Sequence, residues 1–157
     1  MSEKGTRRFL DRAAELGVDD LDVRVLDDSA HTAAQAATAV GTEVDAIVKS
    51  LLLLVGGSPT LALVSGGHRL DTAGLAATLG AEVALADART VREHAGYSIG
   101  GVPPFAHPAP LPTLFDETLL RFDTVWAAAG SAHAVFPIAV DRLRAITGAR
   151  VVALAER

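Results

Sequence analysis

The 157-residue chain contains no cysteine, which removes disulfides, thiolate catalysis and cysteine-ligated zinc from consideration. Its strongest apolar run, Leu51 to Val55, falls far short of the roughly 20 residues a membrane helix needs. Aromatic side chains are scarce, with one tryptophan, one tyrosine and five phenylalanines. Positive charge is in the minority as well: a formal net charge of −5 argues against nonspecific, charge-driven binding to nucleic acid, which relies on a dense basic surface displacing counterions. Reading a single chain end remains open. The opening, MSEKGTRRFLDRAAELG, is charged and periodic rather than basic-then-apolar, so it does not read as a signal peptide. A cytoplasmic protein with no membrane partner is the expectation.

Lysine is nearly absent too. Of 14 basic residues, only Lys4 and Lys49 are lysines. In an arginine- and alanine-rich chain, a replaceable surface lysine drifts toward arginine, so Lys49, a compact and rotatable point charge, stands out. It opens the apolar run KSLLLLV, where a charge is costly without a partner or a task.

The length suits one domain, expected to span 1–157. Thr6 to Leu16 has helical spacing and stops at Gly17. LDVRVL alternates like a half-buried strand. Thr32 to Val40 is an alanine-rich helix ended by Gly41, and Thr42 is expected to cap a second short helix leading to Lys49. KSLLLLV, the punctuation GGSP and TLALVSG form a hairpin. Asp71 caps a helix to Leu79, AEVALA is a strand and DARTVREHAG a helix. TLFD, DTVWAAAG and AVFPI follow as strands, then the helix AVDRLRAITG and a last strand RVVALA. Recurrent hairpins without a strict β-α-β beat indicate α+β, with helices flanking a curved, mixed and largely antiparallel sheet.

GYSIGGVPPFAHPAPLPT, residues 96–113, holds three glycines and five prolines. The prolines restrict φ and make it a stiff loop, while Gly100 and Gly101 let a ligand approach the backbone. Together with IVKSLLL upstream and VWAAAGSAHAVFPIAVDRLRAITGARVVALAE downstream, this loop resembles the YbaK/EbsC family of aminoacyl-tRNA deacylases. That family is related to the editing domain of bacterial prolyl-tRNA synthetases, and the likeness runs from about Leu21 to the C-terminus.

The resemblance implies hydrolysis of the ester joining a wrong amino acid to tRNA, with no metal or other cofactor; alanine, cysteine, serine and threonine are the candidate residues, and tRNA-Pro carrying Ala or Cys is the leading substrate on the strength of the pocket wall described next. The resemblance carries the family's lysine onto Lys49 and its glycine pair onto Gly100 and Gly101 as the catalytic set. Two polar positions of better-known members, a serine and an aspartate, fall here on Ala128 and Val135. These suggest an apolar pocket wall, with Ser131 and His133 as neighbouring sources of polarity. The implied partners are the aminoacyl-tRNA acceptor end and a synthetase, the chain acting as monomer or homodimer.

An activated ester needs mainly a placed water, oxyanion stabilisation and a grip on the terminal adenosine. Lys49 can donate to the tRNA end and amides near Gly100 can face the oxyanion. Tyr97 can stack on adenine, whereas Trp126 reads as core. His107 and His133 are within reach as bases, each with a structural role as the plainer reading. His31, His68 and His94 read as ordinary surface residues, and no HxH or HExxH spacing supports a metal site. Asp116 and Asp123 read as caps or turn residues. Two alternatives stand beside the editing hydrolase: a non-catalytic binding module of the same fold, and a Schiff-base enzyme using Lys49.

Overall fold

In a computed structural model, which describes residues 2–27, 30 and 32–156, the chain is a single α+β domain built on one mixed eight-stranded sheet. The strands are β1 (Arg24–Val25), β2 (Ile47–Val55), β3 (Ser58–Ser65), β4 (Val83–Leu85), β5 (Thr113–Asp116), β6 (Thr124–Ala128), β7 (Ala134–Ala139) and β8 (Arg150–Val152). They are ordered β1-β7-β6-β2-β3-β5-β8, with β4 paired to β2. The β2–β6, β3–β5 and β5–β8 pairings are parallel and the other four are antiparallel. Five helices accompany the sheet: α1 (Ser2–Glu15), α2 (Ala33–Val40), α3 (Thr72–Leu79), α4 (Ala88–Ala95) and α5 (Val140–Thr147).

Local chemistry explains most boundaries. Thr32 caps α2 in a capping box with Gln35, Asp71 caps α3 through the Gly74 amide, and Asp87 caps α4 through the Thr90 amide. The β2–β3 turn needs two successive left-handed residues, supplied by Gly56 (φ 57°) and Gly57 (φ 84°). Ser58 and Pro59 are already strand. Pro59 sits opposite Leu54, in a pair that exchanges no main-chain bonds, so its missing N–H costs nothing there.

Three expectations are corrected. Thr42 caps no helix; Glu43 precedes a single 3-10 turn, Val44–Ala46, because Ile47 is drawn at once into pairing with Trp126. LDVRVL shortens to Arg24–Val25, whose partners on β7 are Val135 and Ala134, and Val25 is 78% exposed. The first helix begins at Ser2 rather than Thr6.

The main core lies between one sheet face, α1, α4, α5 and the 96–113 loop. Phe9 of α1 meets Phe136 of β7 at 5.2 Å and Phe105 of the loop at 5.5 Å between ring centroids. Leu53, Ala62, Val64 and Leu75 build a second core with α3 on the other face. A third, around Ala36, Ala37, Ile47, Trp126 and Val135, seats α2.

The N-terminal helix meets the β6–β7 turn backbone to backbone. A Cβ on Gly130 (φ 92°) would lie 2.3 Å from the Gly5 carbonyl oxygen. Nearby, the Thr6 hydroxyl donates to the Ser131 hydroxyl at 3.3 Å. Gly130→Ala combines left-handed strain with a backbone clash, so urea unfolding should show a loss of about 2–4 kcal/mol. Alanine at Gly148, whose added Cβ would meet nothing within 4 Å, should cost only the conformational strain, about 1–2 kcal/mol.

Candidate active site

The site begins with a break in the sheet. On β2, Ile47 accepts from the Gly66 amide and Leu52 accepts from the Ala86 amide. By alternation, residues 47, 49 and 51 turn their main-chain groups toward β3, and residues 48, 50 and 52 toward the opposite edge. On that edge β6 pairs only as far as Val48, and β4 begins opposite Leu53. Ser50 is left facing a window between the two strands.

A cavity of about 450 Å³ occupies this window, within the range of small-molecule sites. Ile47, Trp126 and Val135 line it from the third core, while Val48, Leu52, Val91, Val102 and Ala127 line it from the main core. The cavity therefore reaches residues on both faces of the sheet. Ala128 and Val135 both line it, which makes that wall apolar. Its lining has little uncommitted polarity: the Thr32 hydroxyl is used in capping α2, and the Lys49 ammonium is bonded elsewhere. The Ser50 hydroxyl is closed to solvent and has no hydrogen-bond partner. Sequence reasoning passed over Ser50, because nothing in KSLLLLV distinguishes a serine beside a sheet window from one in a continuous ladder.

Lys49 lines the cavity, and its Nζ donates to the His68 carbonyl at 2.6 Å. One of three ammonium donors is thus engaged. Partial burial lowers its pKa from the ordinary lysine value, and the Asp116 carboxylate opposes that shift. Asp116 is fully buried. It accepts from the Thr118 amide at 2.9 Å, as a cap, and from the Ser65 amide at 3.0 Å. His68 is no ordinary surface residue: it is partly buried, and its Nε2 lies 3.4 Å from Asp45, which also meets Arg121 at 3.5 Å. The position supports the lysine by its main chain, a role invisible in side-chain chemistry. His94 is exposed, and His31 lies outside the described residues.

The two loop glycines separate in role. Gly100 (φ 87°) is exposed and lines the cavity. Gly101 is buried, and an added Cβ would sit 2.8 Å from the Ser131 backbone. Its N–H donates to the Ser98 carbonyl at 2.9 Å. Glycine at 101 thus answers a close approach of protein backbone rather than of ligand, and its amide is already engaged.

Tyr97 and His107 are brought to the loop, not to the cavity lining. Tyr97 is buried, and its hydroxyl donates to the Ala106 carbonyl at 2.8 Å. His107 Nε2 lies 2.8 Å from the Pro103 carbonyl, which requires the proton on Nε2. The two bonds hold a segment in which Ala106 has φ 71°, a left-handed conformation costing alanine about 1–2 kcal/mol. Ser131 and His133 line a neighbouring groove instead, with Ala132 shared by the two spaces. Among the described residues, no group of three or more His, Cys, Asp or Glu side chains is placed to hold a metal ion.

The Aminoacyl-tRNA editing domain family matches residues 27–146. A solved structure of a candidate trans-editing enzyme for prolyl tRNA synthetase is 42% identical, with a TM-score of 0.92 over 98% of each chain. The structure of a hypothetical protein, APE2540, is 29% identical, with a TM-score of 0.84 over 95% of this chain and 99% of that one. YwhH of Bacillus subtilis (strain 168), an uncharacterized protein, is 29% identical over 131 residues, 83% of each chain.

Two outcomes follow from the site's chemistry. Ser50→Ala removes a hydroxyl with no bond to lose, so the unfolding free energy should stay level or rise by up to about 1 kcal/mol in urea titrations. A fall of that size or more would mean the hydroxyl is satisfied in the free protein. For His107, burial holds the pKa below its ordinary value of 6.5, against the Pro103 hydrogen bond. Between the folded and unfolded pKa values the unfolded chain binds the extra proton. The contribution is therefore full above 6.5 and is lost as pH falls through the window below it. Stability measured from pH 7 to pH 5 should decline for wild type, and His107→Gln should flatten that decline.

Proposed function

As the chain belongs to the Aminoacyl-tRNA editing domain family, we propose that it is a trans-editing deacylase that hydrolyses the ester of mischarged tRNA, with tRNA-Pro bearing alanine or cysteine as substrate. The observation that carries this reading is the apolar cavity at the sheet window, with Lys49, Ser50 and Gly100 on its lining. Its volume of about 450 Å³ exceeds any small side chain, and so suits an aminoacyl group together with part of the terminal nucleoside.

In this reading Lys49 uses its remaining donors on a hydroxyl or phosphate of the tRNA end. The Gly100 turn lies against the ester, and a water or the terminal ribose hydroxyl assists attack. The main-chain and hydroxyl groups of Ser50 offer partners to the polar part of the aminoacyl group. Ala128 and Val135 favour an apolar side chain. Such a wall disfavours a hydroxylated competitor by only about 100-fold, so alanyl and cysteinyl esters should lead seryl and threonyl ones without excluding them. Smaller misacylated residues escape a synthetase's own pocket, which is why a second hydrolytic sieve is useful. The acidic net charge supports help from a synthetase, or from a second copy of the chain, in concentrating the enzyme on its substrate.

Deacylation of labelled alanyl, cysteinyl, seryl, threonyl and prolyl tRNAs tests the proposal. Wild type should release alanine or cysteine selectively, and Lys49→Ala should be slower by about 100-fold or more. Tight binding without turnover of any ester would instead favour the non-catalytic module. Trapping of Lys49 by borohydride in the presence of carbonyl compounds would favour the Schiff-base chemistry.

A further inference from the structure

The groove beside the cavity has a chemistry of its own. It encloses about 520 Å³ between α1, the start of the 96–113 loop and the β6–β7 turn, and Lys4, Arg8 and Arg92 line it. Arg12 stands next to it, with its guanidinium 5.6 Å from the centre of the Tyr97 ring. No aspartate or glutamate is among the described lining residues. The ion pairs among the described residues use Arg24, His68, Arg89, Arg121 and Arg142, so Lys4, Arg8, Arg12 and Arg92 carry charge that no described carboxylate within 4 Å neutralises. On a chain whose net charge is −5, this concentration of uncompensated cations around one groove is a local departure.

Two features make it a built groove. Arg8 is fixed by donating from Nη1 to the Gly96 carbonyl at 2.9 Å. The α1 wall is held by the close approach of Gly5 to Gly130 described above. The groove adjoins the cavity: Ala132 lines both, and along the chain Ser98 lines the groove while Ile99 and Gly100 line the cavity. A polymer whose end occupies the cavity would pass across this divide into the basic groove.

We infer that the groove binds the phosphodiester backbone of the single-stranded RNA end whose terminal nucleoside enters the cavity. The assignment rests on the editing function proposed above. Arg8 contributes a positioned charge, and Lys4 and Arg92, both exposed, contribute mobile ones that meet the phosphates preceding the terminal nucleotide. Recognition of this kind is insensitive to base sequence and sensitive to salt. It places strong attraction along the strand's path while the acidic remainder of the surface discourages binding elsewhere.

The test is equilibrium binding of a fluorescently labelled, uncharged RNA hairpin with a single-stranded 3′ end, measured by anisotropy over a range of salt. The Lys4→Glu/Arg92→Glu double variant should bind about tenfold more weakly at low salt, with a slope of log K against log salt shallower by about one or more. Arg89→Glu on α4, away from the groove, should match wild type. The neutral pair Lys4→Gln/Arg92→Gln serves if the reversal unfolds the chain, as judged by thermal melting, and should weaken binding in the same direction. Wild-type affinity and slope in the folded double variant would overturn the inference. Failure of the editing function reads differently: no turnover of any mischarged tRNA with charge-dependent hairpin binding intact would remove the deacylase and leave the groove.

Discussion

Each edge of a β-strand can satisfy one neighbour along its length, and β2 divides its outer edge between two strands that do not meet. Its parallel partner β6 ends its pairing at Val48 and its antiparallel partner β4 begins at Leu53. The interval stays open because β6 ends at Ala128, before the turn into β7, and β4 ends at Leu85, before α4. A window therefore persists in the middle of the sheet, and the cavity follows from it. So does the position of Ser50, which would otherwise be an inconspicuous ladder residue. The pairing of β2 with β3 on the other edge, from Val48↔Ser65 to Val55↔Ser58, keeps the strand in the sheet across the gap.

The remaining walls are rigid for separate reasons. Five prolines stiffen residues 96–113, the Tyr97 and His107 bonds lock the turn around Ala106, and Gly101 seats the loop on the Ser131 backbone. The left-handed Ala106 is unfavourable in isolation; burial of Phe105 against Phe9 and Phe136 offsets it. The loop's histidine and tyrosine, which invite a catalytic reading, are spent in holding it. In the proposed reading, chemistry falls instead to main-chain groups and to the lysine.

Charge is arranged by locality rather than by total. Near the cavity, Lys49 is balanced against buried Asp116, with Asp45, His68 and Arg121 beyond. Across the Ala132 divide the cations stand without carboxylate partners. Net charge alone argued against nucleic acid, and it holds for the surface as a whole. It is silent about a groove a few residues wide, where fields are set by neighbours within a Debye length of about 8–10 Å.

Element types were legible in the residues themselves. Asp71 and Asp87 before their helices, the left-handed glycines Gly41, Gly80, Gly96 and Gly148 after theirs, and the two-glycine hairpin turn all act within a few residues of chain. Lys49 was conspicuous for the same reason, as a charge opening an apolar run. Only the tertiary structure decided that His68 and Asp116 flank that lysine, that Gly101 serves packing, that Tyr97 and His107 clamp a loop, and that Ser50 faces a window. Caps and turns are settled by bonds between near neighbours. What lies across a strand's edge, or against a glycine's missing Cβ, is settled by segments distant along the chain, and no local pattern records it.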